Sequence, residues 1–270
     1  MSKTGWMMLS RLLVGDDGSP GAAAARTWAG SLAGAAGAEV VVATVVAPTS
    51  VGQGVARARP AGTQELAGAP ATALLAFADE IAADLVVVGR RGAGGFEAMR
   101  LGSTAHQVAE HASRPVAIVP ASGPPRGGWP FATIAVGLDG SLVGAGALSW
   151  AVPLAVASSA AVFVVHALEM GPAFMAAGLI EAYAQAMAQT NAAVEDWCGP
   201  LREAGLTYTT VLEEGGPVGV LLHAVSTHGA DLLVVGRRTR GAFPGMEMGS
   251  AAHRALGFSP CPTVVVPGNL

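Results

Sequence analysis

Gly89-Arg90-Arg91-Gly92 is followed, after nine residues, by Gly102-Ser103. The stretch leaves an apolar run, Leu85-Val86-Val87-Val88, and leads into a helix-like segment from Thr104 to His111. That arrangement suits an anion. The first N–H groups of a helix have no partner inside it and carry the positive end of its dipole. A phosphate accepts from them, and glycines admit it because no Cβ stands in the way. Ser103 either caps the helix or donates to a phosphate oxygen. The alternative is an ordinary strand-to-helix connection with glycine turns, because short glycine motifs recur by chance.

The stretch occurs twice. Gly236-Arg237-Arg238-Thr239 is followed, after nine residues, by Gly249-Ser250. The same shift of 147 residues maps Asp84 on Asp231, Pro70 on Pro217, His106 on His253 and Pro115 on Pro262. A repeat of this kind governs the fold argument. Nearer the start, Gly15-Asp16-Asp17-Gly18-Ser19 maps on Gly137-Leu138-Asp139-Gly140-Ser141 at a shift of 122, which also pairs Trp28 with Trp150 and Thr44 with His166. The two shifts differ by 25 residues, so the second half holds extra chain between its second and third strands. There Leu179 to Ala204 reads as a long helix that the first half has mostly lost. The third strand of the first half is then poorly covered on one face, unless the partner half or another chain covers it.

Strands and helices alternate around these motifs. Leu12-Leu13-Val14 is a short strand, and Ser19-Pro20 starts an alanine-rich helix to about Ala36. Val40 to Val46 is a continuous β-branched run, the mark of a strand covered on both faces. Residues 47 to 62 read as a loop, Thr63 to Ala67 as a short strand and Pro70 to Ala82 as an amphipathic helix. Leu85 to Val88 and Val116 to Val119 are further strands. The expected class is α/β: two tandem flavodoxin- or Rossmann-like domains, each a five-stranded parallel sheet with helices on both faces. The boundaries fall at 1–120 and 132–270, around a Gly- and Pro-rich linker, 121–131.

Composition narrows the functions. The net charge is −4 over 270 residues, which argues against a large nucleic-acid surface. Residues 140 to 168 carry no Asp, Glu, Lys or Arg apart from Asp139 just before them, a length that would span a bilayer. The pattern changes midway, however, so a soluble helix over 141 to 157 and a buried strand at Val162-Phe163-Val164-Val165 are expected instead of a membrane segment. Cys198 and Cys261 match no metal spacing and need not pair, as in a reducing cytosol. Met1 to Arg11 holds no long apolar core, which predicts no signal peptide and a cytoplasmic protein.

The pattern Gly-two-Gly-nine-Gly-Ser after an apolar strand, Val-Gly-x-Asp-Gly-Ser at the first strand end and a terminal run rich in β-branched residues and closed by proline, Val116-Ala117-Ile118-Val119-Pro120 and Thr263-Val264-Val265-Val266-Pro267, together resemble the universal stress protein family, once in each half. The resemblance implies a five-stranded α/β sandwich and, in the nucleotide-binding branch, ATP at the carboxyl ends of the strands. Asp17 and Val45 would then flank the adenine. Gly15 would lie under the nucleoside, and Val88, Gly89, Gly92, Gly102, Ser103 and Thr104 would follow the ribose and phosphates. The second-half positions are Gly137, Asp139, Ala167, Val235, Gly236, Gly249, Ser250 and Ala251. Thr239 for the second loop glycine, Ala167 for Val45 and Ala251 for Thr104 depart from the pattern, so the first-half site is expected to be the stronger. Asp16, where the second half has Leu138, suggests an exposed strand end. In the family the last strands pair antiparallel, here between the two halves of one chain as a pseudo-dimer, or in a homodimer; the alternative is a strand covered by its own helix.

Other residues stay open on sequence alone. Asp17 and Asp139 also read as helix-capping turn residues. The Arg90-Arg91 and Arg237-Arg238 pairs either screen a triphosphate or are solvated. His106 and His253 read as surface or capping side chains. No metal site is expected beyond Mg²⁺ arriving with ATP. Three functions follow: an ATP-binding stress-response protein, a slow ATPase or nucleotidyl transferase on the same fold, and a dimerisation scaffold that binds no nucleotide. No carboxylate-histidine constellation or arginine finger supports the second.

Overall fold

The structure, a computed structural model, describes residues 9–46, 61–94, 99–121, 131–169, 180–238 and 248–268. The first half runs β1 (Arg11–Gly15), α1 (Pro20–Ala36), β2 (Glu39–Val46), β3 (Gln64–Ala67), α2 (Pro70–Glu80), β4 (Leu85–Gly89), α3 (Ser103–His111) and β5 (Val116–Val119). The second runs β6 (Thr133–Gly137), α4 (Leu142–Ser158), β7 (Ala161–Leu168), α5 (Ile180–Trp197), α6 (Gly199–Glu203), β8 (Tyr208–Glu214), α7 (Pro217–Thr227), β9 (Leu232–Gly236), α8 (Ser250–Phe258) and β10 (Thr263–Val266).

The strands form one sheet in the order β3-β2-β1-β4-β5-β10-β9-β6-β7-β8. Every neighbouring pair is parallel except β5 and β10, which run antiparallel with Ala117 opposite Val264. The apolar runs follow from this arrangement. Leu85 and Val87 face one core while Val86 and Val88 face the other, and both cores draw residues from both halves. A strand buried on two faces needs apolar residues at every position rather than at alternate ones. Trp28 and Trp150, paired by the repeat, lie in the same core, where the Trp28 ring meets Phe131 at 6.0 Å.

Local chemistry sets the element ends. Ser19 caps α1 by accepting from Ala22 N, Pro20 occupies its first turn, and Gly37 closes it in the left-handed region. Ser141 caps α4 in the same way. The repeated acids join strand starts: Asp84 Oδ2 accepts from the Ser10 and Arg11 N–H groups, and Asp231 Oδ2 from those of Ala132 and Thr133. Pro115 and Pro262 each offer a carbonyl to the neighbouring strand, at Val86 N and Leu233 N.

Several expectations need revision. The long helix expected over Leu179 to Ala204 is two helices, α5 and α6, divided at Cys198. The stretch in which the first half lacks its helix falls on residues 47–60, outside the described residues. Gln64, Glu65 and Ala67 of β3 are exposed. Asp16 is not at an exposed strand end. It is buried, pairs with Arg26, accepts from Gly18 N at 2.8 Å, and offers its own carbonyl to Thr44 Oγ1 at 2.7 Å. A polar residue occupies this apolar position because Arg26, the seventh residue of α1, reaches back and neutralises it. His106 and His253 lie at the surface as expected, but they are not separate groups. Their rings meet edge to face at 5.0 Å across the β5–β10 seam, and Glu110 lies 3.3 Å from His106 Nε2.

Two outcomes are expected. Arg26→Met alone, which strands the Asp16 carboxylate, should cost about 3 kcal/mol, the low end of the buried-pair range because Arg26 keeps contact with solvent. Adding Asp16→Leu should recover most of that, since Leu138 fills the matching place in the second half; urea midpoints at constant slope measure both. The second concerns pH. Burial first, then the neighbouring His106, hold the His253 pKa below its usual value, against an opposing pull from Glu110. The unfolded chain therefore binds more protons than the folded one below about pH 6.5. Stability contributed by the neutral ring is present above that pH and lost as pH falls. His253→Asn should flatten the decline in urea midpoint between about pH 7 and 5.

Candidate functional site

β1 and β4 are the strands at which the first half's order turns back, since β1 continues to β2 on one side while β4 and β5 lie on the other. Ligand crevices in open α/β sheets open at the carboxyl ends of such strands. Gly15 ends β1 and stands beside Val88 of β4 and Ala43 of β2. Above them is a cavity of about 450 Å³. Its lining includes Gly15, Asp17, Val45, Val88, Gly89, Gly92, Gly102, Ser103 and Thr104, so all nine first-half positions singled out in the sequence come together. Volumes of roughly 300–1,000 Å³ suit a small organic ligand.

The cavity has two chemical ends. Val45, Pro70 and Leu74 form an apolar wall. The first turn of α3 also lines the cavity. The cap of α3 is Gly102, with no side-chain hydrogen bond, so Ser103 is the first helical residue; of the two roles open to it, cap or phosphate donor, the structure removes the cap. Gly249 caps α8 likewise, with Ser250 first in the helix. The N–H groups of an uncapped first turn are the donors an anion uses.

Two glycines owe their identity to the chain itself. A Cβ on Gly89 would overlap the backbone of Gly21 and Ala22 at the start of α1, and a Cβ on Gly21 would overlap the Arg91 carbonyl oxygen. Helix α1 therefore lies directly on the loop. Gly21 escaped the sequence reading; its place just inside the Ser-Pro helix start was the available signal. Gly92 makes room for a side chain: a Cβ there would overlap Asp17 Oδ2, which accepts from Ala93 N at 2.7 Å while Oδ1 accepts from Ser19 N at 3.0 Å. Asp17 thus both holds its own turn and ties it to the loop.

The matching site of the second half is smaller, about 50 Å³. Gly137, Asp139, Ala167, Val235 and Gly236 line it with Arg238 and Ala251, whereas Gly249 and Ser250 are not among its lining residues. Asp139 Oδ1 accepts from Ser141 N at 3.0 Å and from its hydroxyl at 2.6 Å, as a turn residue that holds the capping serine. Trp197 of α5 lies against Gly140 and meets His166 edge to face at 5.3 Å. His166 Nδ1 in turn lies 2.7 Å from Leu138 O, the same carbonyl position that Thr44 reaches in the first half. Thr239 lies outside the described residues.

The arginine pairs divide. Arg91 lines the first cavity and Arg238 the second, but Arg90 and Arg237 turn away from both. Arg90 donates to the Gly257 and Ser259 carbonyls and Arg237 to that of Ala112, each in the opposite half. Neither the triphosphate screen nor the solvated surface expected for those two arginines describes this. Their recurrence at the shift that also relates His106 to His253 was the signal for a contact between halves. Among the described residues no group of three His, Cys, Asp or Glu side chains could hold a metal ion, and no helix is long and apolar enough to cross a membrane.

A family model described as the universal stress protein family matches residues 8–69, 56–120 and 130–267. The chain belongs to the universal stress protein family. A universal stress protein of Mycobacterium tuberculosis is 29% identical over 191 residues, which cover 67% of this chain and 58% of the relative, so the chain spans little more than half of that relative's length. One from Thermus aquaticus is 30% identical over 148 residues, half of this chain and 98% of the relative. Among solved structures, a universal stress protein from Archaeoglobus fulgidus DSM 4304 superposes with a TM-score of 0.65 at 19% identity, covering 95% of this chain and 96% of the other, and shares the fold. In this universal stress protein both halves of the sheet follow the same strand order, β3-β2-β1-β4-β5 in the first and β8-β7-β6-β9-β10 in the second.

The glycine contacts yield a paired test of this universal stress protein. Gly21→Ala should cost about 1–3 kcal/mol, because backbone must move aside for the new methyl. Gly30→Ala, in the same helix with open space around it, should instead stabilise by about 0.5–1 kcal/mol. Thermal or urea unfolding of the two variants side by side measures the contrast, and similar effects would mean that α1 does not lie on the loop.

Proposed function

We propose that this chain binds an adenine nucleotide, ATP foremost, in the cavity of its first half, and acts as a nucleotide-dependent regulatory protein in a stress response. The observation that carries the reading is the convergence of the nine motif positions on one cavity of about 450 Å³ that joins an apolar wall to an uncapped helix start. The base would lie toward Val45 and Leu74, the phosphates toward Gly102, Ser103 and Thr104, and Mg²⁺ would arrive with the nucleotide. An ionised carboxylate only accepts, so Asp17 suits the amino group of adenine and opposes the carbonyl oxygen of guanine. The site in the second half, about 50 Å³, is too small for the same ligand as it stands. We take the chain as two units, 1–120 and 132–270, that form a pseudo-dimer about the linker 121–131 and function in the cytoplasm.

A scaffold that binds no nucleotide is the second reading. The mutual need of Gly21 and Gly89 for each other's space favours it, because that contact accounts for a loop glycine without any ligand.

Calorimetric titration and displacement of a labelled ATP analogue separate the two. ATP should bind at about one site per chain and compete better than GTP. Gly92→Glu, which brings a second carboxylate against Asp17 and into the path of the phosphates, should weaken binding by more than about ten-fold, the equivalent of losing one charge-assisted hydrogen bond. Equal competition by GTP, or ATP binding by Gly92→Glu at wild-type affinity, would overturn the nucleotide reading; a wild type that binds neither would favour the scaffold.

A further inference from the structure

Arg90 and Arg237 each do two things at once. The Arg90 N–H donates to Val119 O at 2.7 Å and its carbonyl accepts from Gly102 N at 2.8 Å, so both ends of the first loop close on one residue. Arg237 repeats this with Val266 O and Gly249 N, at 2.8 Å in each case. The two side chains then cross the seam in opposite directions. Arg90 reaches the carbonyls of Gly257 and Ser259 at the end of α8, and Arg237 reaches that of Ala112, which caps the end of α3.

These helices are the ones whose starts face the two cavities. The last carbonyls of a helix lack partners within it, and a cation there also meets the negative end of the dipole. The grip is confined as well as charged. Arg90 is largely withdrawn from water, its Nε buried without a hydrogen-bond partner, and a buried guanidinium is costly to release from its acceptors. At the surface of the seam the His106–His253 contact at 5.0 Å and Arg100 over the exposed Phe258 ring at 5.4 Å also join the two halves. A nine-residue helix is a rod of about 13 Å. A change of position at its end is therefore passed to its start.

We propose that Arg90 and Arg237 are positioning residues that couple the two loops across the seam: each is fixed in the loop of its own half and sets the helix whose start faces the other half's cavity. The circuit is closed. Loop one holds α8 through Arg90, α8 opens on loop two, and loop two holds α3 through Arg237, with α3 opening on the first cavity. Arg237 lines neither cavity, so its effect on the first is transmitted. The consequence for ligand binding rests on the nucleotide reading above; the mechanical coupling does not.

The test uses the full chain with Arg237→Met, which keeps the aliphatic stem and removes the donors, and Arg237→Lys, which keeps a cation. Arg11→Met is the control, because Arg11 reaches the Ile81 carbonyl at the end of α2 within its own half. Amide hydrogen exchange should rise at least about five-fold along α3 in Arg237→Met and return part of the way in Arg237→Lys, while Arg11→Met should accelerate α2 and leave α3 unchanged. ATP affinity at the first-half cavity should fall about ten-fold in Arg237→Met, within the usual span of coupling between sites. Unchanged exchange in α3 overturns the proposal whether or not ATP binds. Where the wild type binds ATP, unchanged affinity in Arg237→Met overturns it too. A wild type that binds no ATP defeats the nucleotide reading alone, and the exchange result then decides the coupling.

Discussion

The antiparallel ladder between β5 and β10 is the contact on which the remaining architecture depends. Its register, Ile118 with Thr263, Ala117 with Val264 and Val116 with Val265, joins two parallel sheets at strands that would otherwise be open edges. Because the join is antiparallel, the second half is turned about the seam relative to the first. The corresponding helices α3 and α8 are thereby brought side by side, and His106 meets its counterpart His253. Both faces of the sheet continue across the ladder, so each of the two cores is shared. The exchange of arginines follows from the same placement, since only a turned pair of halves sets the end of each helix beside the loop of the other.

Within each half the decisive constraint is how closely backbone can approach backbone. Gly21 and Gly89 let α1 press on the turn after β4, and Gly92 lets Asp17 reach the loop. The mouth of the cavity is thus shaped by residues chosen for having no side chain. Polar groups are then placed by that shape: the first turn of α3 faces inward because Gly102 N is held by the Arg90 carbonyl.

Much of this could be read from the sequence. Continuous β-branched runs and alternating elements implied a parallel sheet covered on both sides, and the repeat implied two copies of it. The nine first-half site positions came from a motif whose spacing reflects a strand, a loop and a helix start, all local features. What stayed hidden was contact between residues far apart in the chain. Asp16 looked misplaced in a strand because Arg26 was invisible as its partner. Arg90 and Arg237 looked like ligand screens or solvated groups because a residue type does not reveal its target. Ser103 read as either a cap or a donor to an anion because a serine at a helix start suits both, but the extended backbone of Gly102 took the cap position.

A single chain carrying both copies escapes a rule that binds symmetric dimers. Where two identical subunits meet, every substitution appears twice, and a change that improves one pocket alters the other equally. Here Gly21 corresponds to Val143 in the repeat, Asp16 to Leu138 and Thr104 to Ala251, each occurring once. Cavities of about 450 and 50 Å³ can therefore coexist in one molecule. The ladder between the copies is also intramolecular, so its formation is set by the tether rather than by how much protein is present. Divergence of one copy costs the other nothing in dose, and the inequality of the two halves is inherited with the chain.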